Sequence, residues 1–163
     1  MMKKSKMLYA GTFDPITNGH LDVIVRASRL SDDFTVGVLR NMSKNPLFSV
    51  EERIELIRRS TEGIENIEID SFEGLLAEYV KKKGFDIVIR GLRASMDFES
   101  EIQMAQMNAV LYDKSVETIF LMTNPSHSFI SSSLVKEVFS LGGDVEGLVP
   151  EAVHEALRSK YRD

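Results

Sequence analysis

Cysteine is absent from the 163 residues. That excludes disulfides, a thiolate nucleophile and any cysteine-based zinc site. The three histidines, His20, His127 and His154, are far apart and lack metal-ligand spacing. No apolar run approaches the ~18 residues that a membrane-spanning helix needs. The basic start, Met1 to Lys6, is followed only by Met7-Leu8-Tyr9-Ala10. That run is too short for a signal-peptide core and points to the cytoplasm. Basic stretches are short too, the longest being Lys81-Lys82-Lys83, and the net charge is −5. A general nucleic-acid binder would carry a basic patch, so that class is disfavoured. An anionic ligand would have to be met by a few placed cations, and Lys44, Arg90 and Arg93 are the candidates. Repeats and low-complexity tracts are also missing. Hydrophobic residues at 43% and charged residues at 28% then fit one soluble domain spanning residues 1–163.

What is present is an alternation of strand-length apolar runs with helical-period segments. Strands are expected over residues 6–11, 34–39, 67–69, 85–89 and 116–122. Helices are expected from about Gly19, from Ser49 (a capping box with Glu52), over 75–83, 96–111 and 131–141, and from Pro150 as first helical residue. Such alternation predicts a doubly wound α/β domain with a five-stranded parallel sheet and extra C-terminal helices. Its ligand would sit beyond the carboxyl ends of the strands, at the point where strand order reverses.

The strongest local signal follows the first strand: Gly11-Thr12-Phe13-Asp14-Pro15-Ile16-Thr17-Asn18-Gly19-His20. Gly11 allows close approach of backbone, and Asp14-Pro15 and Asn18-Gly19 are turn dipeptides. His20 falls in the first turn of the next helix, where unpaired N–H groups favour a phosphate. Gly19 has no side chain to block it. A second signal is Ile130-Ser131-Ser132-Ser133-Leu134-Val135-Lys136. Serines at a helix start act as caps, and their N–H and hydroxyl groups also suit phosphate. Arg90-Gly91-Leu92-Arg93 follows the fourth strand, placing guanidinium forks at the ligand edge. Salt bridges from these arginines to Asp97 or Glu99 are the plainer alternative. By periodicity Leu75 and Leu76 read as core, and His154 reads as a surface residue.

These segments resemble the signatures of the nucleotidyltransferase superfamily related to class I aminoacyl-tRNA synthetases, with its Rossmann-like fold. With Asp97-Phe98-Glu99-x-Glu101 they resemble the phosphopantetheine adenylyltransferase family over nearly the whole chain. The resemblance implies transfer of the adenylyl group of ATP to 4′-phosphopantetheine, with Mg²⁺, in coenzyme A biosynthesis. It also implies a homohexamer, and coenzyme A as feedback inhibitor. His20 then stabilises the transition state, with Lys44 and Arg93 beside it. Thr12, Phe13, Gly91, Leu92, Arg93, Glu101, His127, Ser128, Phe129, Ile130, Ser131, Ser132 and Ser133 contact ATP. Thr12, Lys44, Leu76 and Arg90 contact phosphopantetheine. Mg²⁺ is expected on the triphosphate and water, because no carboxylate cluster suits it. The chain departs from the family at Thr17, at His127 where many relatives carry an aromatic, at Ser100 in place of a tyrosine, and at Lys136 in place of the superfamily arginine. The same Gly-His machinery also serves transferases with other acceptors, such as nicotinamide mononucleotide. A regulator that binds nucleotide or coenzyme A without turnover is the reading from another class.

Overall fold

A computed structural model describes residues 5–41, 45–93, 95–112 and 115–162. Five strands, β1 (Lys6–Gly11), β2 (Asp33–Arg40), β3 (Ile67–Glu73), β4 (Ile87–Leu92) and β5 (Glu117–Met122), form one sheet in the order β3-β2-β1-β4-β5. Every adjacent pair is parallel. Helices α1 (Asn18–Ser28), α2 (Val50–Ser60), α3 (Leu76–Lys83) and α4 (Ser95–Leu111) connect successive strands. Helices α5 (Ser132–Ser140) and α6 (Glu151–Arg162) follow the sheet. This is the doubly wound α/β architecture that the alternation predicts.

Both faces of the sheet are covered, as strict parallel pairing requires. Met7, Tyr9, Val36 and Val38 point into one apolar cluster with Val23 and Ile24 of α1, Ile57 of α2 and Leu157 of α6. Leu8, Phe72 and Val88 point into a second cluster with Val80 of α3 and Tyr112. The period-two alternation of β1 therefore feeds two cores. Among the described residues, no helix is long and apolar enough to cross a membrane.

Several boundaries move. The fourth strand begins at Ile87 rather than 85 and runs through Arg90 and Gly91 to Leu92, because these pair with Phe120, Leu121 and Met122 of β5. Arg90 is thus a strand residue, not the first residue of a loop. β3 continues to Glu73 because Asp70 to Glu73 find partners on β2. Pro150 lies one residue ahead of α6, and its carbonyl accepts from Val153 and His154. Leu75, read as core, is 58% exposed, and Leu76 packs at the margin of the second cluster. His154 is not a surface residue: its side chain is 13% exposed and lies edge-on to Phe139.

The sheet order reverses between β1 and β4. These two strands pair only from Met7 with Ile87 to Tyr9 with Ile89. Beyond that point Gly11 registers with Val38 of β2, and Arg90 with Phe120 of β5. A crevice opens where the two strands part.

Candidate active site

The crevice is a cleft of about 450 Å³, floored by residues 9–13 and walled by Arg90, Gly91 and Arg93 on one side and Ser131 to Ser133 on the other. The turn after β1 is held tightly. Phe13 takes a left-handed φ of 50° and is 3% exposed, with its ring edge-on to Tyr9 at 5.4 Å and to His20 at 5.1 Å. A Cβ on Gly11 would lie 3.1 Å from that ring, so any side chain there would press on Phe13. Asp14 is buried beneath the turn. Its carboxylate accepts from the amides of Leu47 (3.0 Å) and Phe48 (2.9 Å) and from Lys136 Nζ (2.8 Å). Burial alone pushes this carboxyl up, but Lys136 and the two amides outweigh it and hold it below its usual value.

Thr17 caps α1, its hydroxyl accepting from the His20 amide. Its own N–H donates to His20 Nδ1 at 3.0 Å. An imidazole that accepts at Nδ1 carries its proton on Nε2, so the neutral ring offers a donor to the cleft. The ring is also kept neutral. Burial, with Arg93 nearby, pushes its pKa down from 6.5 to about 4.

The cations are positioned by separate elements. Arg90 Nε donates to Glu101 Oε2 at 2.7 Å, joining β4 to α4. Glu101 lines the cleft while engaged with Arg90. The alternative partner Glu99 is exposed, and the Asp97 side chain lies outside the described residues. Arg93 Nη1 donates to the Ile130 carbonyl at 3.2 Å, tying the end of β4 to the serine segment. Ser131 caps α5 by accepting from the Leu134 amide, and Ser132 Oγ donates to the Pro15 carbonyl at 2.8 Å. The first-turn amides of α1 and α5 therefore both lie at the cleft, where a helix leaves its N–H groups without internal partners. Paired arginine forks and two helix N-termini make a site for a polyanion.

The sequence matches the cytidylyltransferase-like family over residues 8–138. It is 51% identical to the phosphopantetheine adenylyltransferase of Clostridium novyi over 153 residues, 94% of each chain. It is 54% identical to the phosphopantetheine adenylyltransferase of Streptomyces coelicolor over 153 residues, 94% of this chain and 95% of the relative. The chain belongs to the phosphopantetheine adenylyltransferase family.

The structure brings most of the anticipated family residues together. Thr12, Phe13, His20, Arg90, Gly91, Arg93, Glu101, Ile130 and Ser131 to Ser133 line the cleft. Leu92 is buried, 4% exposed, and lies behind the wall. His127 ends a 3₁₀ turn (Pro125–His127) that Ser128 and Phe129 follow; none of the three lines the cleft, and Phe129 is 59% exposed. The His127 carbonyl sits 3.5 Å from where a Gly19 Cβ would be. Leu76 packs at the second core cluster's margin, as Ala10 and Leu39 do, but unlike them it does not line the cleft. Lys44 lies outside the described residues. Sequence reasoning missed Tyr9, Ala10, Leu39 and Thr123, which also line the cleft. The alternation of β1 was the only signal for Tyr9.

Proposed function

We propose that this cleft transfers the adenylyl group of ATP to 4′-phosphopantetheine, giving dephospho-coenzyme A and pyrophosphate in coenzyme A biosynthesis. The convergence of His20, Arg93 and the α5 N-terminus on one cleft carries this reading. A phosphate oxygen of the acceptor attacks the α-phosphorus, and the bond to the bridging oxygen of pyrophosphate breaks in line. The attacking phosphate is already ionised at neutral pH, so no general base is needed. The work is alignment of two polyanions and stabilisation of charge on the non-bridging oxygens. His20 Nε2–H donates to that developing charge. Ser131 to Ser133 and Arg93 hold the leaving phosphates. Arg90, steadied by Glu101, and Thr12 hold the acceptor. Lys44 is proposed to contribute a further cation to the phosphates, and Leu76 to meet the pantetheine arm. His127, Ser128 and Phe129 are proposed to meet the adenine side.

Mg²⁺ is proposed as part of the ATP substrate. Among the described residues no group of three or more His, Asp or Glu could hold a metal ion. Asp14 is engaged by Lys136 and Glu101 by Arg90. That donor set suits an ion held by triphosphate oxygens and water, where it neutralises charge. Homohexamer formation finds support in α4, where Met104 (50% exposed), Met107 (62%) and Val110 (71%) recur at helical spacing. Feedback by coenzyme A, and a cytoplasmic location beside the ATP pool, complete the reading. The test is pyrophosphate release with ATP and 4′-phosphopantetheine, set against ATP with nicotinamide mononucleotide or glycerol 3-phosphate. Turnover only with one of the latter acceptors would overturn the assignment.

A further inference from the structure

Arg53 is 2% exposed, lines a smaller pocket beside the cleft with Thr12, Ser132 and Ser133, and has no role in the reaction above. Burying a guanidinium is costly unless its donors are satisfied. Here Nε and Nη1 are satisfied by main-chain carbonyls. Nε donates to Phe48 O (3.1 Å) and Ser49 O (3.3 Å), and Nη1 donates to Thr12 O (2.7 Å) and Leu39 O (3.1 Å). The first two acceptors are local to the start of α2. The other two are not. Thr12 belongs to the turn after β1 and Leu39 to the end of β2, and both line the cleft. One planar fork therefore fastens two cleft walls to one helix.

Asp14 makes the reciprocal link. It lies two residues beyond Thr12 and accepts from the amides of Leu47 and Phe48, at the approach to α2. The turn and the segment before α2 are thus joined in both directions, by a cation on turn carbonyls and an anion on segment amides. A residue needed only to cap α2 would stop at Phe48 and Ser49. A lysine could not reproduce the span, because its ammonium is a single point whereas the guanidinium presents donors in a fixed fork.

We propose that Arg53 is a positioning residue for the adenylyl transfer proposed above, acting through Thr12 and Leu39 to fix the cleft walls where acceptor and nucleotide meet. The inference rests on that reading of the cleft. Displacement of a reacting group by ~1 Å costs on the order of 10²-fold in rate. The comparison is between the wild type, Arg53→Lys, Arg53→Met and Ile57→Ala, the last removing a fully buried contact from the same helix without touching the cleft. Melting temperature, ATP affinity by calorimetry, and kcat and KM are measured on folded protein. Arg53→Lys should keep its fold and lose about 10²-fold in kcat/KM, divided between about tenfold in kcat and about tenfold in ATP affinity. Ile57→Ala should melt at lower temperature yet keep kcat/KM and affinity within about twofold. Equal retention by Arg53→Lys would overturn the proposal and leave Arg53 a structural cap. Arg53→Met extends the comparison if it folds, and Arg53→Lys decides it if not. A wild type that binds ATP but does not adenylylate phosphopantetheine would count against the proposed function instead, while the affinity comparison would still decide the role of Arg53.

Discussion

Replacing His20 by alanine removes one donor from the cleft, and the size of the loss follows from the state of that donor. With its pKa pushed down to about 4, the imidazole is neutral at pH 7.5 in all but about one molecule in a few thousand. The lost interaction is therefore one neutral Nε2–H on a developing anion, not an ion pair. Removing one such donor costs about 2.7–4 kcal/mol, or on the order of 10²–10³ in kcat. The KM for ATP should change little, because the bond strengthens with charge that develops only in the transition state. The substitution also leaves the Thr17 N–H without its Nδ1 partner, a cap loss of roughly 1 kcal/mol. Rates must therefore be compared on folded protein after a melting measurement. His20→Gln refines the test: its amide can supply a donor near Nε2 but not the acceptor at Nδ1, so its kcat should fall between alanine and wild type. The assay is steady-state pyrophosphate release at saturating ATP and phosphopantetheine. An unchanged kcat, or a loss confined to KM, would refute the role.

Three further outcomes follow from the same geometry. NMR titration of the unliganded protein should show His20 as the Nε2–H tautomer with a pKa of about 4. Because that value is below the unfolded 6.5, the stability His20 confers is whole above 6.5 and declines as pH falls from 6.5 toward about 4; a midpoint near 6.5 in the folded protein would contradict the burial argument. Asp14→Ala should cost about 3–5 kcal/mol in denaturant unfolding, because it strands Lys136 and two amides. In the wild type the folded Asp14 pKa lies below the unfolded value of 3.8, so its contribution is present above that value and lost as pH falls through the folded one. Glu101→Gln should raise KM for phosphopantetheine more than KM for ATP, by roughly tenfold if a charge-assisted bond of about 1.5–3 kcal/mol steadies Arg90. An effect on ATP alone would return Glu101 to the nucleotide side.

What was legible in the sequence was local. The capping box at Ser49 and Glu52 and the serine cap at the start of α5 depend on neighbouring residues, and each forms as read. The turn from Gly11 to His20 was readable for the same reason, since its glycines, its prolyl turn and its helix start lie within ten residues of one another. What was not legible depends on residues distant in the chain. Arg90 to Leu92 became strand because β5 pairs with them, and Glu101 became a partner of Arg90 once α4 crossed the end of β4. Arg53 stands between Glu52 and Ile54, and nothing in the neighbouring sequence announces that Thr12 and Leu39 meet its guanidinium. His154 sits on the last helix as expected, but Phe139 and Asp144 arrive from the α5 side to cover it.

The central claim is direct in-line transfer, with His20 as donor and no adenylyl-enzyme. The stereochemical course at phosphorus tests it most directly. ATP carrying a chiral α-phosphorothioate is converted with 4′-phosphopantetheine, and the configuration of the dephospho-coenzyme A analogue is determined. One in-line displacement inverts the centre, and inversion is the predicted result. Retention would require two displacements through an enzyme-bound intermediate and would contradict the account.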